Sequence, residues 1–261
     1  MLSKYLKEFL DEKAKLYEQT SFIEKDPIGI PHKFNKKEDI EITSFLIATI
    51  SWGNRTSILK SGVRMLELMG NDPFHFVLNH NENDLNKLSS FVHRTFNGTD
   101  FIYFIKSLKN IYLNHGGLEC AFSSELNTKR LDINLHNFKN IFFELEHNKR
   151  SEKHVSDPLN GSAAKRLNMF LRWMVRSSNK GVDFGIWNRL NARQLSCPLD
   201  IHTGNVARRL GLLKRKQNDY KASVELDTNL RRFDPNDPVK YDFALFGLGI
   251  YEKFNAKDFI I

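Results

Sequence analysis

Two polar segments carry residue types that can do chemistry. In the first, Leu199-Asp200-Ile201-His202-Thr203-Gly204-Asn205-Val206-Ala207-Arg208-Arg209-Leu210, the lead-in Pro198-Leu199 delivers a carboxylate to the start of a short helix. Val206 and Leu210 share one face of that helix, and the pair Arg208-Arg209 lies behind them. The ordinary role of Asp200 is to cap, since aspartate readily accepts the free N–H groups of a first turn. A carboxylate held rigidly there can also stabilise positive charge that develops on a substrate. The second segment, Leu159-Asn160-Gly161-Ser162-Ala163-Ala164-Lys165, is a turn feeding an amphipathic helix with Lys165 in its first turn. A lysine in that position is ordinarily solvated. To act as a nucleophile it must lose a proton near neutrality, which burial or a neighbouring cation promotes. Leu167 and Phe170 follow it, and Arg166 is adjacent. Gly161 lets the backbone of the turn come close to a phosphate.

Helices must position both segments. Leu2, Tyr5, Leu6, Phe9, Leu10, Leu16 and Tyr17 recur at helical spacing over 2–19. Asp26-Pro27 and Ile30-Pro31-His32 break the pattern, which predicts a loop over 24–36. Residues 38–50 are apolar around much of the circumference, as in a helix central to a core. The turn Ser51-Trp52-Gly53-Asn54-Arg55 ends it, and a helix over 56–69 follows. Further helices are expected over 73–79, from a cap at Thr99 or Asp100 to Leu113, and over 118–126 and 131–147. A charged linker follows to Val155. The Lys165 helix spans 163–176, with Leu167, Phe170, Leu171, Met174 and Val175 on one face and Lys165, Arg166, Arg172 and Arg176 on the polar side. Residues 179–197 read as a loop with a turn at Trp187. The Asp200 helix runs to near Gly211, and helices over 219–232 and 238–251 close the chain. No alternating strand, internal repeat or low-complexity segment stands out. The expected class is all-α.

The 261 residues carry a formal charge of +8, which raises the odds of a polyanionic partner such as nucleic acid. The 21 phenylalanines suit helices packed through large apolar side chains. Cys120 and Cys197 are the only cysteines and lie far apart, which argues against cysteine-built zinc or iron–sulfur sites and against a disulfide framework. The charged N-terminus lacks the apolar stretch of a signal peptide, and no run approaches the ~20 apolar residues of a membrane span. A cytoplasmic monomer that uses neither metal nor cofactor is the expectation.

The two polar segments together resemble the helix-hairpin-helix DNA glycosylases of base-excision repair. Leu159 to Asn168 is similar to the signature L-P-G-V-G-x-K-T-A-x, with Asn160 in place of its proline and Ala163 in place of its second glycine. Pro198 to Arg209 is similar to the later P-V-D-T-H-V-x-R-V-x-x-R segment, through Asp200 and His202 above all. The order hairpin, lysine, aspartate is the family's. The 35 positions from Lys165 to Asp200 resemble the long spacer of the archaeal 8-oxoguanine glycosylase/lyase branch. The whole chain also resembles an uncharacterised bacterial conserved-hypothetical family.

The resemblance implies one glycosylase-like unit over 1–261, in two packed helical subdomains with a cleft between them, approximately 38–150 and 155–261, with 1–37 added. It implies DNA N-glycosylase and AP-lyase activity on a damaged base, with oxidised purine as the candidate substrate. A damaged nucleotide would be flipped out of the duplex. Lys165 would attack the sugar C1′ and release the base, Asp200 would stabilise the oxocarbenium-like charge and help deprotonate the amine, and β-elimination from the imine would cut the strand. Gly161, Ser162, Arg208 and Arg209 would hold phosphates, as could Lys214-Arg215-Lys216. Trp52, Asn54, Arg55, Trp173 and His202 would form the base pocket, with the tryptophans stacking and Asn54 reading a base edge. His32, His93 and Arg94 are further polar candidates. The ordinary place of both tryptophans is a core. A monofunctional glycosylase, with Asp200 activating water, and a non-catalytic DNA- or RNA-binding relative are the alternatives.

Overall fold

The computed structural model describes residues 2–176, 180–252 and 254. Among them the chain forms twelve α-helices: α1 (Leu2–Tyr17), α2 (Lys37–Ile50), α3 (Arg55–Leu68), α4 (Pro73–Asn79), α5 (Glu82–Leu88), α6 (Gly98–Asn114), α7 (Leu118–Ala121), α8 (Asp132–Phe142), α9 (Lys165–Val175), α10 (Ile201–Arg209), α11 (Tyr220–Phe233) and α12 (Tyr241–Ile250). Between α5 and α6 lies a small antiparallel hairpin, β1 (Val92–His93) with β2 (Phe96–Asn97), which pairs Val92 with Asn97 and His93 with Phe96. The sequence does not announce these strands, because two residues are too few to show an alternating pattern. Helix α5 is also unannounced. A capping box between Asn81 and Asp84 starts it.

Other boundaries differ for local reasons. The segment 24–36 is not an open loop but holds 3-10 turns, two of them starting at Pro27 and Pro31, where the missing N–H costs little. The helix expected over 118–126 stops at Ala121, and the one over 131–147 stops at Phe142. Asn97, rather than Thr99 or Asp100, caps α6, with Asp100 returning the bond. Position 179 of the expected loop 179–197 lies outside the described residues, and Ala192–Gln194 forms a 3-10 turn. No helix among the described residues is long and apolar enough to cross a membrane.

The chain divides into two compact units. The inner unit comprises Ile23–Leu126 and Ile133–Ser156, and the terminal unit Met1–Phe22, Asn127–Asp132 and Asp157–Ile261. The N-terminal helix thus belongs with the C-terminal residues.

The inner unit is organised around α2, which is buried from Asp39 to Ile50. Phe45 sits among Phe104, Phe122, Phe138 and Phe142, with ring centroids 5.4–6.4 Å apart. Those spacings and tilted arrangements are the ones aromatic quadrupoles favour. Glu41, also buried on α2, accepts the Tyr112 hydroxyl at 2.7 Å.

In the terminal unit α12 packs on both α1 and α10. Leu10, Leu199, Val206, Leu226, Leu230, Leu245 and Leu248 form its apolar core. α1 approaches α12 so closely that a Cβ on Gly247 would stand 2.1 Å from the Tyr17 ring, so only glycine fits there.

Candidate active site

The turn ahead of Lys165 is built on Asp157. Its carboxylate accepts from the Leu159 amide at 2.9 Å and from the Asn160 side chain at 2.6 Å. Gly161 takes φ 88°, and a Cβ there would meet no atom within 4 Å, so the glycine answers to the backbone conformation. Its N–H donates to the Pro158 carbonyl, and that of Ser162 to the Asp157 carbonyl. The Ala164 N–H donates to Ser162 Oγ at 3.1 Å. The amides expected to cradle a phosphate at Gly161 and Ser162 therefore close the turn itself. The Ser162 hydroxyl remains as the group there with a proton to offer outward.

Ala164 caps α9 in the left-handed conformation, φ 46° and ψ 39°. A residue with a Cβ pays about 1–2 kcal/mol for that conformation. Strain of this kind gathers at functional sites, and here it sits immediately before Lys165. The Lys165 side chain is half-buried and makes no hydrogen bond or ion pair among the described residues.

Asp200 caps α10 as its residue type predicts. One carboxylate oxygen accepts the Thr203 amide at 2.9 Å, and the second has no hydrogen bond among the described residues. The cap is braced from below. The Asp200 carbonyl accepts from Asn218 Nδ2 at 2.8 Å, and Arg208 holds Asn218 Oδ1 at 2.6 Å while donating to the Arg215 carbonyl at 2.8 Å. Gly204 makes room for this brace, because a Cβ there would come within 2.7 Å of Asn218 Oδ1.

Among its described residues, the spacer between Lys165 and Asp200 has a clear course from 180 onward. The amides of Phe184 and Trp187 donate to the Trp173 and Met174 carbonyls, at 2.8 and 3.0 Å. These bonds satisfy carbonyls that the end of α9 would leave open. Asp183 adds side-chain bonds to Arg172 (3.2 Å) and Arg176 (3.1 Å). The spacer thus folds back onto α9 before reaching Asp200.

Arg172 and Arg176 are not on a solvated face. Both are buried in an ion-pair network that also takes in Glu18, Asp183, Asp237 and Asp242. Within it Asp242, on α12, is a functional candidate that its place in the sequence alone does not single out. It is 6% exposed, accepts a bond from Arg172 and faces the Cys197 thiol at 3.8 Å. Burial is the main cause that raises its carboxyl to about 6. The charge of Arg172 lowers it, that of Asp200 raises it, and that of Lys165 lowers it. The charges of Lys165 and Asp200 thus both reach the Asp242 carboxylate. Burial also pushes the Cys197 thiol far up, with Asp242 and Asp200 adding to the shift. That thiol is an inert neighbour rather than a nucleophile. A single acid in the otherwise apolar run Tyr241-Asp242-Phe243-Ala244-Leu245-Phe246 was the available signal.

The remaining candidates divide. His202 is exposed on α10, with its Cβ against Gly249 of α12. Beside Asp200, Ile201 is 70% exposed. Arg209 donates to the Phe254 carbonyl. Trp173 is wholly buried, a correction to its expected place in a base pocket, because stacking on a base requires an accessible ring face. Arg215 is held by Asp219 in an i,i+4 pair.

Trp52, Asn54 and Arg55 belong to the inner unit. Asn54 caps α3 through the Ser57 amide at 3.2 Å. Trp52 is half-buried, edge-on to His93 at 5.2 Å and stacked on His154 at 6.0 Å between centroids. His93 is buried, which lowers its pKa, and its Nδ1 lies 2.8 Å from Ser61 Oγ. Arg94 lies across Gly53, whose φ is 98°. His32 is the middle residue of the 3-10 turn Pro31–Lys33.

The model of a family described as "Protein of unknown function (DUF2400)" matches residues 26–251. No curated protein and no solved structure matches the chain.

Proposed function

We propose that this chain, which belongs to the DUF2400 family, is a DNA N-glycosylase with AP-lyase activity on damaged bases, oxidised purines in particular. The observation that carries the reading is that Lys165, unbonded among the described residues beside the left-handed Ala164 cap, and Asp200, with one carboxylate oxygen open, both lie within electrostatic reach of the buried carboxylate of Asp242. A cation without a bonded partner, a carboxylate with one oxygen open and a second acid titrating near neutrality are the groups that acid–base and nucleophilic chemistry at a sugar carbon requires. The order of the turn, Lys165 and Asp200 in the helix-hairpin-helix glycosylases supports the same reading.

In this scheme Lys165, once it has given up a proton, attacks C1′ through its amine. The bond from C1′ to the base breaks, and the base leaves with the bonding electrons and takes up a proton. Asp200 stabilises the positive charge on the sugar through its open oxygen while its other oxygen keeps the cap. The proton lost by the amine passes to the carboxylate pair. The raised affinity of Asp242 for protons makes that pair a better acceptor at neutral pH than a solvated acid. The C1′–O4′ bond then breaks, O4′ takes up a proton and the opened sugar is held as the imine; loss of a C2′ proton expels the 3′ phosphate by β-elimination and cuts the strand.

The test is borohydride trapping on duplex oligonucleotides that carry a panel of base lesions. A covalent adduct with an oxidised purine, abolished in Lys165→Gln, is expected. Base release without an adduct would replace the reading with a monofunctional glycosylase. Neither release nor adduct on any lesion would leave a nucleic-acid-binding protein of this fold.

A further inference from the structure

The terminal unit contains a cavity whose wall is cationic. It has a volume of about 340 Å³, and Lys129, Arg193 and Arg231 contribute to its lining with no carboxylate among the lining residues. Lys129 and Arg193 are exposed, and neither side chain makes an ion pair or hydrogen bond among the described residues. Arg231, in the last turn of α11, is fixed. It donates to the carbonyls of Leu195 at 2.7 Å and Arg193 at 3.3 Å, and lies 3.6 Å from Asp227.

The wall is preorganised. Asn191 and Gln194 cap the 3-10 turn that carries Arg193, and Gln194 Nε2 ties the turn to the Thr128 carbonyl at 3.0 Å. The Thr128 hydroxyl, on another lining residue, is buried and makes no hydrogen bond. A buried hydroxyl left without a partner is costly, so such a group marks a place where a ligand or water completes the bonding.

The nearby acids do not balance the cations. Asp132 and Asp227 both bind Arg130 and Asp227 also lies against Arg231, so the two carboxylates serve Arg130 and Arg231 and leave Lys129 and Arg193 without an ion pair among the described residues. Burial, and then the charge of Arg130, lower the Arg231 guanidinium to about 10. It stays protonated at neutral pH in surroundings that disfavour positive charge, a condition that an anion relieves.

We infer that this cavity is an oxyanion site that takes a phosphate group, with Arg231 as its fixed floor, Lys129 and Arg193 closing on the anion, and the Thr128 hydroxyl donating to it. The volume suits a phosphate together with the group that bears it. A phosphorylated small molecule and a nucleic-acid backbone present the same chemistry. The site stands apart from Lys165 and Asp200 in its residues and does not depend on the glycosylase reading.

The test uses the full chain. Inorganic pyrophosphate and a short single-stranded oligonucleotide are titrated calorimetrically against the wild type, the double variant Lys129→Ala/Arg193→Ala, and Lys165→Gln. The two alanine changes remove side chains that hold nothing else, and circular dichroism checks that the fold is kept. Saturable binding of pyrophosphate, weakened at least about tenfold in the double variant and unchanged in Lys165→Gln, is expected. A parallel loss of oligonucleotide affinity assigns the site to a backbone phosphate. Unchanged oligonucleotide affinity assigns it to a phosphorylated small molecule. Pyrophosphate binding that does not saturate, or that the double variant leaves intact, overturns the inference.

Discussion

Two buried aspartates, one in each unit, are treated in opposite ways. Asp100, in the inner unit, is fully enclosed and receives Ser151 Oγ at 2.6 Å, Arg150 Nη1 at 2.8 Å, the Asn97 amide at 3.0 Å and His154 Nε2 at 3.2 Å. Burial raises its carboxyl, but the bonds from Ser151 and Asn97 and the charges of His154 and Arg150 bring it below its ordinary value. Asp242, in the terminal unit, has Arg172 and a weak thiol donor, and Asp200 repels its negative charge. It ends at about 6. Burial alone does not decide the protonation of an acid. The number of donors aimed at it, and the sign of the next nearest charge, decide it. Asp100 is a lock whose bonding is complete, whereas Asp242 is held with its proton within reach of neutral pH.

The contrast can be broken most forcefully at the lock. Asp100→Ala leaves Arg150 and His154 facing each other without their shared anion. A loss of about 3–5 kcal/mol is expected in urea unfolding, the usual consequence of removing one partner of a buried ionic group. Asp242→Asn is expected to cost less, within about 1 kcal/mol at neutral pH, because Arg172 keeps its bond to Asp183 and the burial penalty on the ionised carboxyl is relieved.

The pH dependence sharpens the contrast, since the two acids move stability in opposite directions. The folded pKa of Asp100 is depressed, so its contribution is present above the unfolded value near 3.8 and disappears as pH falls through the lower folded value. The folded pKa of Asp242 is raised, so its contribution is complete below about 3.8 and declines as pH rises towards about 6. The decline amounts to roughly 2–3 kcal/mol. Unfolding free energies measured between pH 4 and 7 should fall less in Asp242→Asn than in the wild type, by about that amount.

Smaller effects are expected at the supports of the site. Asn218→Ala removes the brace under the Asp200 cap and should cost about 1 kcal/mol, with a larger relative loss of base release than of stability. Ala164→Gly relieves the left-handed cap ahead of Lys165 and should gain a few tenths to about 1 kcal/mol in thermal unfolding.

Much of the scaffold was legible because helical periodicity and capping residues are local. Helix α4 begins at Pro73 after Asp72 and α10 begins after Asp200, as their residues require. The two-residue strands and the short α5 were not legible, because a periodic signal needs length. At the site, Asp200 and Lys165 could be singled out from residue type and order. Asp242 could not be joined to them, because its role depends on α10 and α12 meeting in space. Arg172 and Arg176 misled for the same reason. Spaced as a solvated helix face, they are buried by acids from Glu18, Asp183, Asp237 and Asp242, which lie far along the chain or beyond the end of α9. Trp173 shows the converse, since a tryptophan looks alike in sequence whether it packs a core or meets a base.

The central claim is that the charges of Lys165 and Asp200 both reach the same buried carboxylate. It is tested most directly by titrating the Asp242 side-chain carboxyl by carbon-13 NMR in the wild type, Lys165→Gln and Asp200→Asn. Removing the Lys165 charge should raise the Asp242 pKa, and removing the Asp200 charge should lower it. A midpoint that stays put in both variants would contradict the account.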